Sequence, residues 1–265
     1  MKPYIIITLF FFPFIAFSCS KKNLPSEDHE AINSADSGAI RQYPGDVFDL
    51  TNWKLTLPVD TEHNGSPDEI KQPELASYSN NQFFLLNQTK DAVVFKAHTG
   101  GETTKGSNYP RSELREMSDN GTKPANWSSV EGRHILFIDQ KVTRLPNVRK
   151  HIVIGQIHDA SRYVIFFRLE DSKLLISVNQ GDKIVLEPMY KLGTRFNVMF
   201  EVANGETKCF YNGKMVYEHQ ERFEGAYFKA GAYVQSSCKG EKKVAGESCD
   251  SYGEVEIFNA WVKHE

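Results

Sequence analysis

The stretch Tyr227-Phe-Lys-Ala-Gly-Ala-Tyr-Val-Gln235 decides how this chain is to be read. At the two-residue period of a β-strand it divides into a polar file, Tyr227, Lys229, Gly231, Tyr233 and Gln235, and an apolar file, Phe228, Ala230, Ala232 and Val234. The apolar file belongs against a core. Two phenols, an ammonium and an amide in one row exceed what a merely wetted face needs, and they suit gripping a polar, anionic ligand. Two further segments share this character. Arg111-Ser-Glu-Leu-Arg-Glu116 places Arg111, Glu113 and Arg115 on one face, and Gln156-Ile-His158 places Gln156 and His158 together with Ile157 opposite. Three strands offering such groups imply one shared site.

Strand patterns dominate around these segments. Residues 91–97, 133–143, 151–157, 163–170, 174–178, 183–187, 194–202 and 254–262 alternate or run apolar over strand lengths. Cys209-Phe-Tyr-Asn-Gly-Lys-Met-Val-Tyr217 predicts a hairpin turning at Asn212-Gly213. Residues 67–78 hold a short helical turn at most, and no long amphipathic period or internal repeat is present. The chain of 265 residues is long enough for a sizeable core. The expected fold class is all-β, a single jelly-roll β-sandwich over residues 44–265, whose first buried set is Phe48, Leu50, Trp53, Leu55 and Leu57.

The N-terminus reads differently. Residues 1–18 combine Lys2 with an almost wholly apolar run from Tyr4 to Phe17, too short to span a membrane and suited to a signal peptide. The run ends Ala16-Phe17-Ser18-Cys19, which resembles a bacterial lipoprotein cleavage site with Cys19 as the lipidated residue, although Ala16 stands where leucine is usual. An ordinary secretory signal is the alternative. Residues 19–43 are polar and read as a tether. Export to the outer membrane or cell surface follows as an expectation, with a periplasmic or secreted protein as the alternative. In an oxidising compartment Cys238 and Cys249, which bracket a polar loop, can close a disulfide, while Cys209 lies in an alternating strand as a buried thiol. The cysteines lack ligand spacing and no histidine cluster joins them, so no metal is expected.

A formal net charge of −3 argues against a nucleic-acid partner but leaves room for a local cationic groove. Singly, each polar face has a plainer reading: Arg111, Glu113 and Arg115 as a cross-strand charge ladder, His158 as a satisfied core histidine, the tyrosine strand as a solvated surface. Together they supply an acid/base pair (His158 and Tyr233), cations (Arg111, Arg115, Lys229) and an amide (Gln156).

In this combination and order, Arg111-Ser-Glu-Leu-Arg115, Gln156-Ile-His158 and Tyr227 to Gln235 resemble the three signature strands of polysaccharide lyase family 7, the alginate lyases, over roughly residues 47–262. The resemblance implies a β-jelly roll whose concave sheet forms the substrate groove, a monomer acting on alginate or a related anionic polysaccharide, and no cofactor. In such a polyuronate the C5 proton lies beside the C6 carboxylate. β-Elimination needs a group to neutralise that carboxylate, a base for the proton and an acid for the O4 leaving group. By resemblance Arg111 and Gln156, with His158 close by, bind the carboxylate, where preorganised donors stabilise developing charge. Tyr233 is the candidate acid, and His158 or Tyr233 the base, according to the face presenting the C5 proton. Glu113, Arg115, Tyr227, Lys229 and Gln235 become groove residues that hold neighbouring sugars or orient these groups. Ile157 is the variant that in this family accompanies guluronate-containing blocks.

Three readings compete with this one. A non-catalytic glycan-binding protein would not need His158 and Tyr233. A glycoside hydrolase needs two opposed carboxylates, whereas Glu113 and Glu116 lie on opposite faces of one strand. A lyase for another polyuronate, such as glucuronan, has the same requirements as one for alginate.

Overall fold

The computed structural model describes residues 40–265. The expected signal peptide, the expected lipidation site Cys19 and the part of the expected tether up to residue 39 lie outside the described residues. The described chain is tied down slightly before Pro44: the Arg41 guanidinium donates to the Lys90 carbonyl, and the Gln42 and Tyr43 amides donate to the Asp46 carboxylate.

In chain order the strands begin with β1 (Trp53–Thr56), β2 (Glu69–Ile70), β3 (Phe84–Leu86), β4 (Val93–His98), β5 (Arg111–Ser118) and β6 (Lys123–Pro124). There follow β7 (Arg133–Arg144), β8 (His151–His158), β9 (Tyr163–Glu170), β10 (Lys173–Val178) and β11 (Lys183–Glu187). The last are β12 (Phe196–Ala203), β13 (Glu206–Tyr211), β14 (Lys214–Gln220), β15 (Tyr227–Val234) and β16 (Tyr252–His264). Residues 67–78 hold β2 and a four-residue 3-10 turn, Glu74–Ser77. The predicted hairpin is β13–β14, with Asn212 and Gly213 at φ 48° and 75°, as a type I′ turn requires.

These strands form two antiparallel sheets. One runs β11-β10-β9-β8-β15-β5-β1-β2, with β6 paired to β5; the other runs β14-β13-β12-β7-β16-β4-β3. Alternation decides what lies between them. In β12, Phe196, Val198, Phe200 and Val202 are buried while Asn197, Met199 and Glu201 are only partly so. In β15, Phe228, Ala230, Ala232 and Val234 join the same core as Phe84, Phe95, Phe167 and Phe200. The architecture is the expected sandwich, and the three signature strands are neighbours in one sheet, in the order β8-β15-β5.

Two glycines allow this arrangement. Gly231 sits at φ +138°, and a Cβ there would lie 2.6 Å from the Ser112 carbonyl oxygen of β5. Gly155 in β8 lies against the opposite sheet, where a Cβ would meet Ile138 Cδ1 at 2.7 Å. The pairing of β8 slips by one residue here against both neighbours, between Ala230 and Tyr233 of β15 and between Val153 and Gly155 itself. Ile152, Ile154 and Ile157 therefore all enter the core, which strict alternation forbids.

Candidate active site

The site face of β5, β15 and β8 is organised around one carboxylate. Glu113 is 2 % exposed. Its Oε2 accepts from Arg111 Nη1 at 2.9 Å and from Lys229 Nζ at 2.7 Å, and its Oε1 from Gln156 Nε2 at 2.6 Å. Burial opposes charge on Glu113, but the Lys229 ammonium, the Arg111 guanidinium and the hydrogen bonds from Lys229 and Gln156 outweigh it, holding the carboxyl below its ordinary range. Lys229 is pushed down to about 8, first by burial and then by the Arg111 charge, against the opposing pull of Glu113.

Aromatic rings flank this centre. The Arg111 guanidinium lies 3.9 Å from the Tyr233 ring centroid and that of Arg115 lies 4.0 Å from Tyr227, following the cross-strand pairing of Tyr233 with Arg111. Tyr227, paired with His158 across β15 and β8, stacks on its imidazole at 5.2 Å. The ring nitrogen Nδ1 of His158 lies 2.7 Å from the Asp159 carbonyl, which can only accept; Nδ1 therefore carries the proton and Nε2 is left as an acceptor. Burial, chiefly, holds His158 below its ordinary range and so keeps it neutral, with Lys229 acting in the same sense.

A cleft of about 540 Å³ lies over these groups, lined by Arg111, Gln156, His158, Tyr227, Lys229, Tyr233 and Gln235. Glu113 and Arg115 are not in its lining: Glu113 lies beneath, spent on its neighbours, and Arg115 stands behind Tyr227. The loops carrying Ser107 and Ser161 close its sides. Among the described residues seven buried side-chain polar atoms have no partner. Four of them, Arg111 Nε, Arg115 Nε, Arg168 Nε and Gln235 Nε2, are donors at or beside the cleft. A second cavity of about 520 Å³, around Glu116, Trp127 and His264, has no such orphan in its lining. There Glu116 is satisfied by the Trp127 indole, the Phe228 amide and His264, and so pins the start of β15.

Several residues of the cleft escape a reading of the sequence. Arg168 on β9 lines it, and its Nη2 donates at 2.7 Å to His151 Nδ1, while Arg149 reaches Tyr109 Oη at 2.9 Å. Burial and the charges of Arg168 and Arg149 keep His151 below the ordinary imidazole range. Counting by twos back from Gln156 assigns His151 to the core face. The slip at Gly155 reverses that, and no local signal announces it. Ser107 is one polar residue in a polar loop and carries no signal of its own. Cys238 and Cys249 are joined in a disulfide, with Cα atoms 5.1 Å apart. The loop between them is bound to the body through Glu247, whose carboxylate accepts from the Ser236 hydroxyl and the amides of Asn147, Val148 and Arg149. Cys209 is a buried free thiol.

Such a site can bind a carboxylate and move protons on either side of it. The sequence family described as alginate lyase matches residues 48–264. An alginate lyase from Klebsiella pneumoniae is 44% identical over 151 residues, which cover 47% of this chain and 49% of that protein. The chain thus spans about half the length of that curated relative. Among solved structures, alginate lyase AlgAT5 from polysaccharide lyase family 7 superposes with a TM-score of 0.79 at 47% identity, covering 85% of this chain and 100% of that one. An alginate lyase from Corynebacterium sp. gives 0.78 at 39% identity, covering 84% and 98%.

Proposed function

The chain belongs to the alginate lyase family, and from that premise we propose that it cleaves alginate by β-elimination, leaving a 4,5-unsaturated uronate at the new end. The observation that carries this reading is the convergence of Arg111, Gln156, His158 and Tyr233 on one cleft in which the imidazole offers a neutral, unprotonated Nε2. Arg111 and Gln156 take the C6 carboxylate and stabilise the charge that gathers there as the C5 proton leaves. For guluronate, His158 Nε2 receives that proton while Tyr233 protonates O4. For the C5 epimer, Tyr233 takes the C5 proton and passes it on to O4.

Glu113 is a positioning residue in this scheme, since its oxygens are committed to Arg111, Lys229 and Gln156. Lys229, Tyr227 and Gln235 hold the chain of sugars, and Arg115 backs Tyr227 from behind. Preference for guluronate-containing blocks rests on Ile157, which is fully buried behind the site and acts through the backbone of Gln156 and His158. The test is ultraviolet absorbance with time on poly-guluronate, poly-mannuronate and mixed alginate separately, because elimination creates a conjugated double bond and hydrolysis does not. A rise that disappears in His158→Ala and Tyr233→Phe supports the reading. A flat trace on all three with binding retained overturns it in favour of a glycan-binding protein or a lyase for another polyuronate.

The protein is further read as exported and lipid-anchored through Cys19, on the strength of the apolar run before Ser18-Cys19. Incorporation of labelled palmitate into the full chain, abolished in Cys19→Ala, is the corresponding test.

A further inference from the structure

Ser107, in the loop between β4 and β5, touches both the carboxylate-binding arginine and the tyrosine. Its Oγ accepts from Arg111 Nη2 at 2.9 Å and from the Tyr109 amide at 3.2 Å, and it lies 2.9 Å from Tyr233 Oη and 3.1 Å from the Tyr109 carbonyl. A serine hydroxyl has two lone pairs and one hydrogen. The two N–H donors occupy both lone pairs, so Tyr233 has none left to donate to. The one hydrogen of Ser107 has two acceptors within reach, the Tyr109 carbonyl at 3.1 Å and Tyr233 Oη at 2.9 Å. The shorter contact is a hydrogen bond only when Ser107 turns that hydrogen to Tyr233 as donor. With its oxygen held in this way, Tyr233 is left to aim its own proton into the cleft, which its side chain lines.

We propose that Ser107 is a positioning residue for proton transfer by Tyr233, donating its hydroxyl hydrogen to the phenolic oxygen and so directing the phenolic proton at the substrate. This rests on the reading of Tyr233 as the acid. In the step concerned, the C5–H electron pair becomes the C4=C5 double bond as His158 Nε2 takes the proton. The C4–O4 pair leaves with O4, which takes the Tyr233 proton, and a phenolate remains. Ser107 keeps its hydrogen on that phenolate oxygen throughout. Arg111, at once on the lone pair of Ser107 and over the Tyr233 ring, polarises the same bond. The carboxylate-binding and proton-donating parts of the site are thereby joined through one hydroxyl. The hydrogen bond gains most when the phenol becomes an anion, so it belongs to the transition state more than to bound substrate.

The experiment is steady-state kinetics of the whole protein on poly-guluronate with Ser107→Ala, Ser107→Thr and Tyr233→Phe, each checked for an unchanged melting temperature. Losing a hydrogen bond to a charged group predicts that Ser107→Ala lowers kcat by about 10- to 100-fold with KM within about twofold. Ser107→Thr, which keeps the hydroxyl, restores most of it. An unchanged kcat in Ser107→Ala, a loss confined to KM, or a loss that threonine does not restore overturns the proposal and leaves Ser107 as a brace for Arg111 or the loop. Should Tyr233→Phe retain full activity, the assignment of Tyr233 itself fails, and that result is distinct from the others.

Discussion

Glu113 and Lys229 form an ion pair of 2.7 Å diagonally across β5 and β15, with side chains only 2 % and 10 % exposed. Glu113 stands directly opposite Gly231, which offers no side chain, so its carboxylate is free to reach the diagonal neighbour. Such a pair is a poor source of stability against an apolar alternative, but removing one partner strands the other. Glu113→Gln leaves Lys229 and Arg111 facing each other without a counter-ion. The expected cost is about 3–5 kcal/mol, read as a fall in the free energy of denaturant unfolding. Activity falls with it, because Arg111, Lys229 and Gln156 all take their placement from Glu113. A variant as stable and active as the parent would show that the carboxylate organises nothing.

Lys229 gives the site an alkaline limit. It is protonated below about 8 and loses its charge above that value. The affinity for a polyanion accordingly declines as pH rises through about 8, seen as a rising KM while kcat changes less. Lys229→Met removes this dependence and has the high KM at every pH. A KM flat between pH 7 and pH 9, at constant ionic strength, argues against a binding role for the ammonium.

His158 sets the acid side on poly-guluronate. Burial lowers its affinity for a proton, so the neutral form that can act as base persists as pH falls and is lost only below the ordinary imidazole value of about 6.5. The acid limb of kcat/KM is expected there, and His158→Gln abolishes it together with most of the rate. An acid limb centred above that value would contradict the buried, neutral imidazole.

Arg168 extends the cationic row onto β9, and its Nε has no protein partner. Arg168→Ala is expected to raise KM for long chains about tenfold, with little change in kcat, as loss of one charge-assisted contact predicts. Equal effects on short and long substrates would place Arg168 at the scissile bond instead of at a neighbouring sugar.

The disulfide between Cys238 and Cys249 closes a loop of modest length. Replacing both cysteines by serine is expected to cost about 2–4 kcal/mol, read as a lower melting temperature, and the parent under reducing conditions should match the variant. Glu247→Gln should loosen the same loop, since its carboxylate ties the cysteine-flanked segment to residues 147–149.

Period-two alternation by itself determined that the chain is built of half-buried strands, because each strand carries the division between core and surface in its own residues. It determined equally that Tyr227, Lys229 and Tyr233 share a face, as do Arg111, Glu113 and Arg115. What only the tertiary structure decided is how those faces are used. That Glu113 lies beneath the cleft and not in its wall depends on three donors arriving from β5, β15 and β8 at once. That His151 stands beside the site depends on a register slip at Gly155, where the opposite sheet approaches closely. That Ser107 meets Tyr233, 126 residues later, depends on where a loop closes. Alternation is a local property and is written into neighbouring residues. Pairing register and loop placement are settled by the packing of distant segments, and no window of sequence contains them.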